Sequence, residues 1–280
     1  MSRLAELVAV VARLRGSEGC PWDRAQDFST MRPYLLEEVY ELLEAMDRVG
    51  AEGEAAAPAL REELGDLLFV VLLLARVGED AGWFSAEDAA EGIAAKMVLR
   101  HPHVFGGEAE AGLSPGSIAA WESRKARLGP DGQPRSRLAG VPATLPGLLR
   151  SHRQGEKAAA VGFDWPDHAA VLAKVYEELG ELEQAIAEHS PRRGPAVAET
   201  GMPSAHPQVE HELGDVLMAL ASLGRHLGAP PEAALRRAND RFQARFEGME
   251  RLARAQGLSL DQLDDEGLDR LWVQSKQASP

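Results

Sequence analysis

A single cysteine, Cys20, stands in 280 residues. That count excludes a disulfide within the chain and any multi-cysteine zinc site. Aromatic residues make up only 5% of the chain. The longest apolar run, LLFVVLLLA from Leu67 to Ala75, falls far short of the roughly 20 residues that span a bilayer. Alternating strand patterns are missing, and so is any cationic surplus. Lys and Arg number 30 against 44 Asp and Glu, a formal net charge of -14 at pH 7. With no Lys/Arg stripe, stable nucleic-acid binding is not expected. Acidity does not exclude a phosphate ligand, because a divalent cation can accompany it into an acidic site. The opening MSRLAELVAVVARLRG is interrupted by Glu6, Arg13 and Arg15. It predicts an amphipathic first helix rather than a targeting segment. Together these absences predict a cytoplasmic protein with no membrane partner.

What remains is helical. Apolar residues recur at the 3.6 period nearly throughout, predicting an all-α protein. The expected helices cover about 3–15, 30–48, 59–80, 86–99, 116–127, 143–160, 167–188, 207–227, 231–253 and 262–275. Ser85-Ala-Glu-Asp88 has the pattern of a capping box, and Pro231 suits a first helical turn. A Gly/Pro-rich linker is expected over 129–140 and a mobile loop over 189–207.

The chain also repeats itself. GCPWD (19–23) returns as GFDWP (162–166). LEEVYELLEA (36–45) returns as YEELGELEQA (176–185), and REELGDLLF (61–69) as VEHELGDVLMAL (209–220). The order is kept, so two related helical domains are expected, 1–135 and 136–280.

Each copy holds an ExxE on one helix and an ExxD on the next. The first copy offers Glu38, Glu41, Glu63 and Asp66. The second offers Glu178, Glu181, Glu212 and Asp215. Residues three apart share a helix face, and helices joined by a loop pair antiparallel, so the acidic faces are placed to converge. Leu35, Leu36, Val39, Leu42 and Leu43 flank the first pair, and Leu64, Leu67, Leu68 and Val71 the second. That apolar setting predicts burial, and buried carboxylates need a partner. A hard divalent cation, Mg²⁺ or Mn²⁺, suits oxygen donors. Gly65 and Gly214 lie mid-helix, where glycine costs about 1 kcal/mol against alanine. Close approach of another helix or a ligand would account for them.

Cation pairs recur downstream: Lys96 with Arg100, and Arg241 with Arg245, each four apart. So do Trp121 with Lys125 and Trp272 with Lys276. An aromatic ring beside a cation fits a nucleotide, with stacking on the base and charge on the phosphate.

With these motifs in this order, the chain resembles the MazG family, the tandem-domain nucleoside triphosphate pyrophosphohydrolases of bacteria. The likeness rests on GCPWDRAQDFSTMRPYLLEEVYELLEA, REELGDLLF, KMVLRHPHVF, VGFDW, ELGDVLMAL and ANDRFQARF, and it covers nearly the full length. It implies a helical MazG-like domain in each half, four-helix-bundle-like cores completed in a homodimer, and an Mg²⁺ cofactor with Mn²⁺ as substitute. It also implies hydrolysis of ribo- and deoxyribonucleoside triphosphates at the α-phosphate, with broad base tolerance, for house-cleaning or regulation of the nucleotide pool. The implied metal ligands are Glu38, Glu41, Glu63 and Asp66, and Glu178, Glu181, Glu212 and Asp215. The implied nucleotide contacts of the second half are Arg241, Arg245, Trp272 and Lys276. The family often has lysine where Arg241 stands, which keeps the charge and alters the hydrogen-bond geometry. Glu37 or Glu177 would orient or deprotonate the attacking water. His101 and His103 serve either the substrate or helix capping. Rival readings are a narrow dUTP- or dCTP-type pyrophosphatase, a half that only binds nucleotide as a regulatory module, and a purely structural helical protein.

Overall fold

The computed structural model describes residues 2–105, 136–189 and 206–278, leaving out the side chains of Ala51, Pro102 and His103. Trp121, Lys125, the helix expected at 116–127 and most of the 189–207 loop lie outside the described residues. Every regular element among the described residues is helical. The chain separates into two compact units, Met1–Pro115 and Gly116–Pro280.

The first unit holds α1 (Arg3–Leu14), α2 (Pro21–Ala25), α3 (Arg32–Glu52), α4 (Ala57–Asp80), α5 (Ala86–Arg100) and α6 (Pro102–Phe105). Ser2 caps α1 by accepting from the Ala5 amide. The Ser85–Asp88 capping box that starts α5 is formed in both directions. The gap expected between α3 and α4 is almost closed. α3 runs on to Glu52, and a 3-10 turn, Gly53–Ala56, leads directly into α4. Alanine-rich sequence supports that continuation. Gly53 breaks it with φ +62, a conformation that glycine reaches at little cost. α3 and α4 pack as a hairpin, with α1 and α5 against α4. Val11, Met31, Val70 and Leu73 form the buried core, with Leu35, Phe69, Leu72 and Leu74 packed onto it. Arg15 ties this core to the GCPWD stretch: its guanidinium pairs with Asp80 at 2.8 Å and donates to the Asp23 and Gln26 carbonyls.

The second unit holds α7 (Gly147–Ala159), α8 (His168–His189), α9 (Pro207–His226), α10 (Pro231–Ala255), a 3-10 turn at Leu260–Gln262, and α11 (Asp265–Ala278). Pro231 sits in the first turn of α10, as its sequence position predicts. α8 and α9 form the hairpin, α7 packs on α9 and α10, and α11 packs on α10. Met249, Ala253 and Leu271 make a core with Leu252, Leu260, Leu263, Leu268 and Trp272 around it.

Two expectations are corrected here. The apolar residues beside the acids are not all buried: Leu36, Tyr40, Leu64, Leu68 and Val71 are exposed, as are Leu179, Leu213, Leu217 and Met218. Their helical spacing makes continuous stripes, because each hairpin buries only one side of its helices within its unit. Gly65 and Gly214 lie on exposed turns, and a Cβ at either would meet nothing within 4 Å. No close approach by another helix among the described residues accounts for them, which leaves the approach of a ligand. No helix among the described residues is long and apolar enough to cross a membrane.

Candidate metal centres

The α3–α4 hairpin brings Glu38, Glu41 and Glu63 together. One carboxylate oxygen from each lies within 4.8 Å of the other two. Glu38 and Glu63 are half-buried and Glu41 is exposed. Asp66 is exposed and outside this close trio, although its charge acts on both Glu38 and Glu63. Glu38 is the least satisfied member, since its Oε2 is buried without a hydrogen-bond partner. Loss of solvation pushes its carboxyl above the usual range, and repulsion from Glu41, Asp66, Glu63 and Glu37 adds to this. Glu63 is raised likewise, by burial first and then by Glu41, Asp66 and Glu62, with Arg48 opposing.

The α8–α9 hairpin gathers a trio from the equivalent acids, here Glu178, Glu212 and Asp215, again within 4.8 Å of one another. Glu178 and Glu212 are buried and Asp215 is half-buried. Glu181 is exposed and outside the trio. Its carboxyl is raised by burial and by Glu178, opposed by Lys174, and raised further by Glu212 and Glu177. Each acid of this trio has a partner from its own helix, one turn earlier. Lys174 Nζ lies 2.7 Å from Glu178 Oε1. Gln208 Nε2 donates to Glu212. His211 Nε2 lies 3.3 Å from Asp215 Oδ2. Hydrogen bonds that it donates to Glu177, then Glu178, hold the Lys174 ammonium charged to well above the ordinary lysine range.

These donor sets fit a hard divalent cation. Both are all-oxygen, neither contains histidine or cysteine, and the first leaves a buried oxygen unpartnered, as a metal ligand would be before its ion arrives. Charge repulsion within each trio is the price that a cation removes.

The comparisons agree with the motif order. The model for the MazG nucleotide pyrophosphohydrolase domain matches residues 26–105. The nucleoside triphosphate pyrophosphohydrolase of Escherichia coli (strain K12) is 36% identical, over 99% of this chain and 98% of its own length. The nucleoside triphosphate pyrophosphohydrolase/pyrophosphatase MazG of Thermotoga maritima is 38% identical, over 97% and 94% respectively. The chain belongs to the MazG family. A further relative, YabN of Bacillus subtilis, is 38% identical over 96% of this chain but only 50% of its own length. The MazG domain match encloses the first trio with Lys96 and Arg100. The full-length MazG relatives extend the likeness over the second trio.

The other expected site residues that are described lie on elements of the same two units. Lys96 and Arg100 lie one turn apart on α5, exposed and half-buried respectively, and α5 packs on α4. His101 Nδ1 lies 2.7 Å from the Met97 carbonyl, a capping position at the end of α5. Arg241 is exposed and Arg245 half-buried on α10. On α11, the Lys276 Nζ stands 5.2 Å from the centroid of the Trp272 ring, and Phe242 lies 5.5 Å from the same ring. Ser275 fastens the two helices by donating to the Arg245 carbonyl. Trp272 is thus half-buried packing with the Lys276 ammonium beside its ring. Glu37 and Glu177 are exposed next to the trios, and Glu177 accepts from Lys174 at 2.9 Å.

Sequence reasoning passed over Lys174 and Gln208. Their signal was present: each lies four residues before an acid of the trio, on the same helix face.

Proposed function

We propose that this MazG-family chain hydrolyses nucleoside triphosphates to the monophosphate and pyrophosphate, with Mg²⁺ or Mn²⁺ held by the two carboxylate trios. The observation that carries the reading is the recurrence of the trio on equivalent helical hairpins, in a chain similar over its full length to named nucleoside triphosphate pyrophosphohydrolases. Glu38, Glu41 and Glu63, with Asp66 beside them, would hold the cation in the first unit. Glu178, Glu212 and Asp215, with Glu181, would do so in the second. A divalent cation held there would supply positive charge to offset the negative charge developing as pyrophosphate leaves.

The chain's own residues supply the rest. Glu177 or Glu37 orients the water for attack on the α-phosphorus and takes its proton. A new bond forms from that water to phosphorus, and the bond to the bridging oxygen of the β-phosphate breaks. Arg241, Arg245 and Lys276 steady the phosphate charge, and the Trp272 face stacks on the base. Stacking tolerates any base, which supports broad base tolerance and a house-cleaning or pool-regulating role.

The exposed stripes of Leu36, Leu64 and Leu68, and of Leu179, Leu213 and Leu217, favour a homodimer. Contiguous apolar faces of this kind are costly in a monomer. A second copy packed over the stripes would also account for Gly65 and Gly214.

The test is a nucleotide panel with and without Mg²⁺ in ¹⁸O-labelled water. Monophosphate carrying the label, with pyrophosphate as the other product, is expected. Diphosphate plus orthophosphate would overturn the α-phosphate mechanism. Turnover confined to one base would replace broad tolerance with the narrow dUTP- or dCTP-type reading.

A further inference from the structure

The two trios share two of their three register positions, Glu38 with Glu178 and Glu63 with Glu212, and are held together differently. One turn before Glu178, Lys174 places Nζ 2.7 Å from Glu178 Oε1 and 2.9 Å from Glu177 Oε1. One turn before Glu38 the corresponding residue is Tyr34. Its ring meets Trp22 edge-on, with 5.5 Å between centroids and 78° between planes. In the second unit each acid of the trio has its own partner: Lys174, Gln208 or His211. In the first, Glu38 Oε2 is buried with no partner at all. The groups acting most strongly on Glu38 after burial are four other acids.

An ammonium at hydrogen-bond distance from a carboxylate is already a counter-cation. A divalent ion entering the second trio must displace it, and gains only the difference. The first trio offers an incoming ion negative charge that Arg48 offsets only from a distance, at Glu63, and one buried oxygen without a hydrogen-bond partner. We propose that Lys174 is a built-in counter-cation that holds the second trio assembled before any metal arrives, whereas the first trio, with Tyr34 in that place, depends on the ion itself. The two units therefore take a bare divalent cation with unequal affinity, and the first fills before the second as the free ion rises. Lys174 acts here as a positioning residue. This inference rests on the reading of both trios as divalent-cation sites.

The experiment titrates Mn²⁺ into the metal-free, full-length chain without nucleotide, following free Mn²⁺ by electron paramagnetic resonance. Two classes of site are expected, separated by about tenfold or more in affinity. E38Q removes the tighter class and E178Q the weaker. Lys174→Met tightens the weaker class by about tenfold, and Mn²⁺ then raises the Tm of this variant more than that of the wild type. The reciprocal change, Tyr34→Lys, weakens the tighter class. Equal affinities in the wild type, a tighter class lost with E178Q, or an unchanged weaker class in Lys174→Met would each overturn the proposal while leaving the metal sites standing. Should Lys174→Met fail to fold, Tyr34→Lys decides it, and unchanged affinity in the first unit overturns the proposal. If no Mn²⁺ is taken up in stoichiometric amount, the metal-centre reading falls and this proposal with it.

Discussion

Asp164 is gripped by Arg225 across 61 residues of sequence, through both terminal guanidinium nitrogens. His226 adds a third contact at 3.0 Å. Asp164 belongs to the GFDWP stretch and Arg225 to the end of α9, so the pair fastens the connection between α7 and α8 to the helix that carries Glu212 and Asp215. The Arg225 hydrogen bonds are the main reason that the Asp164 carboxyl drops from 3.8 to about 2, against the opposing effect of burial.

That shift fixes the sign of a pH dependence. A carboxyl depressed in the folded state adds stability above its unfolded pKa and loses it as pH falls through its folded value. Asp164→Asn is expected to lower stability at neutral pH by on the order of 1 kcal/mol, allowing for the solvent that reaches the pair. The gap between variant and wild type should hold steady down to about pH 4 and close between there and about pH 2. Urea unfolding across that range measures it. A gap that persists at the acid end would assign the effect to packing rather than to the ion pair.

The two trios can be separated by one acid from each. Glu181→Gln should lower nucleotide hydrolysis by roughly 100-fold if the second unit dominates turnover, a loss in the range seen when one charge-stabilising group is removed. Glu41→Gln then reports the first unit's share. Rates at saturating Mg²⁺ with identified products give both numbers. Full hydrolysis in Glu181→Gln would move the main activity to the first unit. Glu177→Gln tests the base assignment in the same assay, and wild-type turnover by that variant would remove Glu177 from the mechanism.

The helices and the carboxylate pairs were legible because each depends on spacing along one helix. Glu38 with Glu41, and Glu212 with Asp215, follow from the 3.6 period. Their convergence follows from the hairpin. Burial was misjudged for the opposite reason. Whether Leu36 or Leu64 faces a neighbour depends on what packs across the hairpin, and within each unit that side is open. The Arg15–Asp80 and Asp164–Arg225 pairs join residues distant in sequence, and no periodicity points to them. Lys174 was hidden differently. Its spacing from Glu178 was visible, but a search for acids weighs a neighbouring lysine as surface charge, and only the 2.7 Å contact shows it inside the acidic cluster.

Trp272 has two roles that one pair of variants distinguishes. Its side chain packs against the core of Met249, Ala253 and Leu271, and its ring also meets Phe242 and Lys276. Stacking on a base is worth about 1–3 kcal/mol, so Trp272→Ala should raise KM roughly 10- to 100-fold with little change in kcat. Trp272→Phe should keep most of the affinity. Steady-state kinetics with unfolding curves on the same samples check both. A loss of stability in Trp272→Ala with an unchanged KM would make the residue purely structural.

Gly248 governs the contact between α10 and α11. A Cβ there would stand 2.6 Å from the Ser275 Oγ. Ser275 is only 1% exposed, and its hydroxyl donates to the Arg245 carbonyl. It cannot turn into solvent without giving up that bond. Gly248→Ala should therefore destabilise the second unit by about 1–3 kcal/mol, the usual cost of overpacking. Ser275→Ala removes the colliding oxygen and loses one hydrogen bond, about 1 kcal/mol. The two losses share one cause, so the double variant should be less damaged than the sum of the single ones, by an interaction of about 0.5–3 kcal/mol in a double-mutant cycle. Additive losses in urea unfolding would show that the crowding at Gly248 is relieved elsewhere, and that Ser275 does not set the spacing of the helices bearing Arg245 and Trp272.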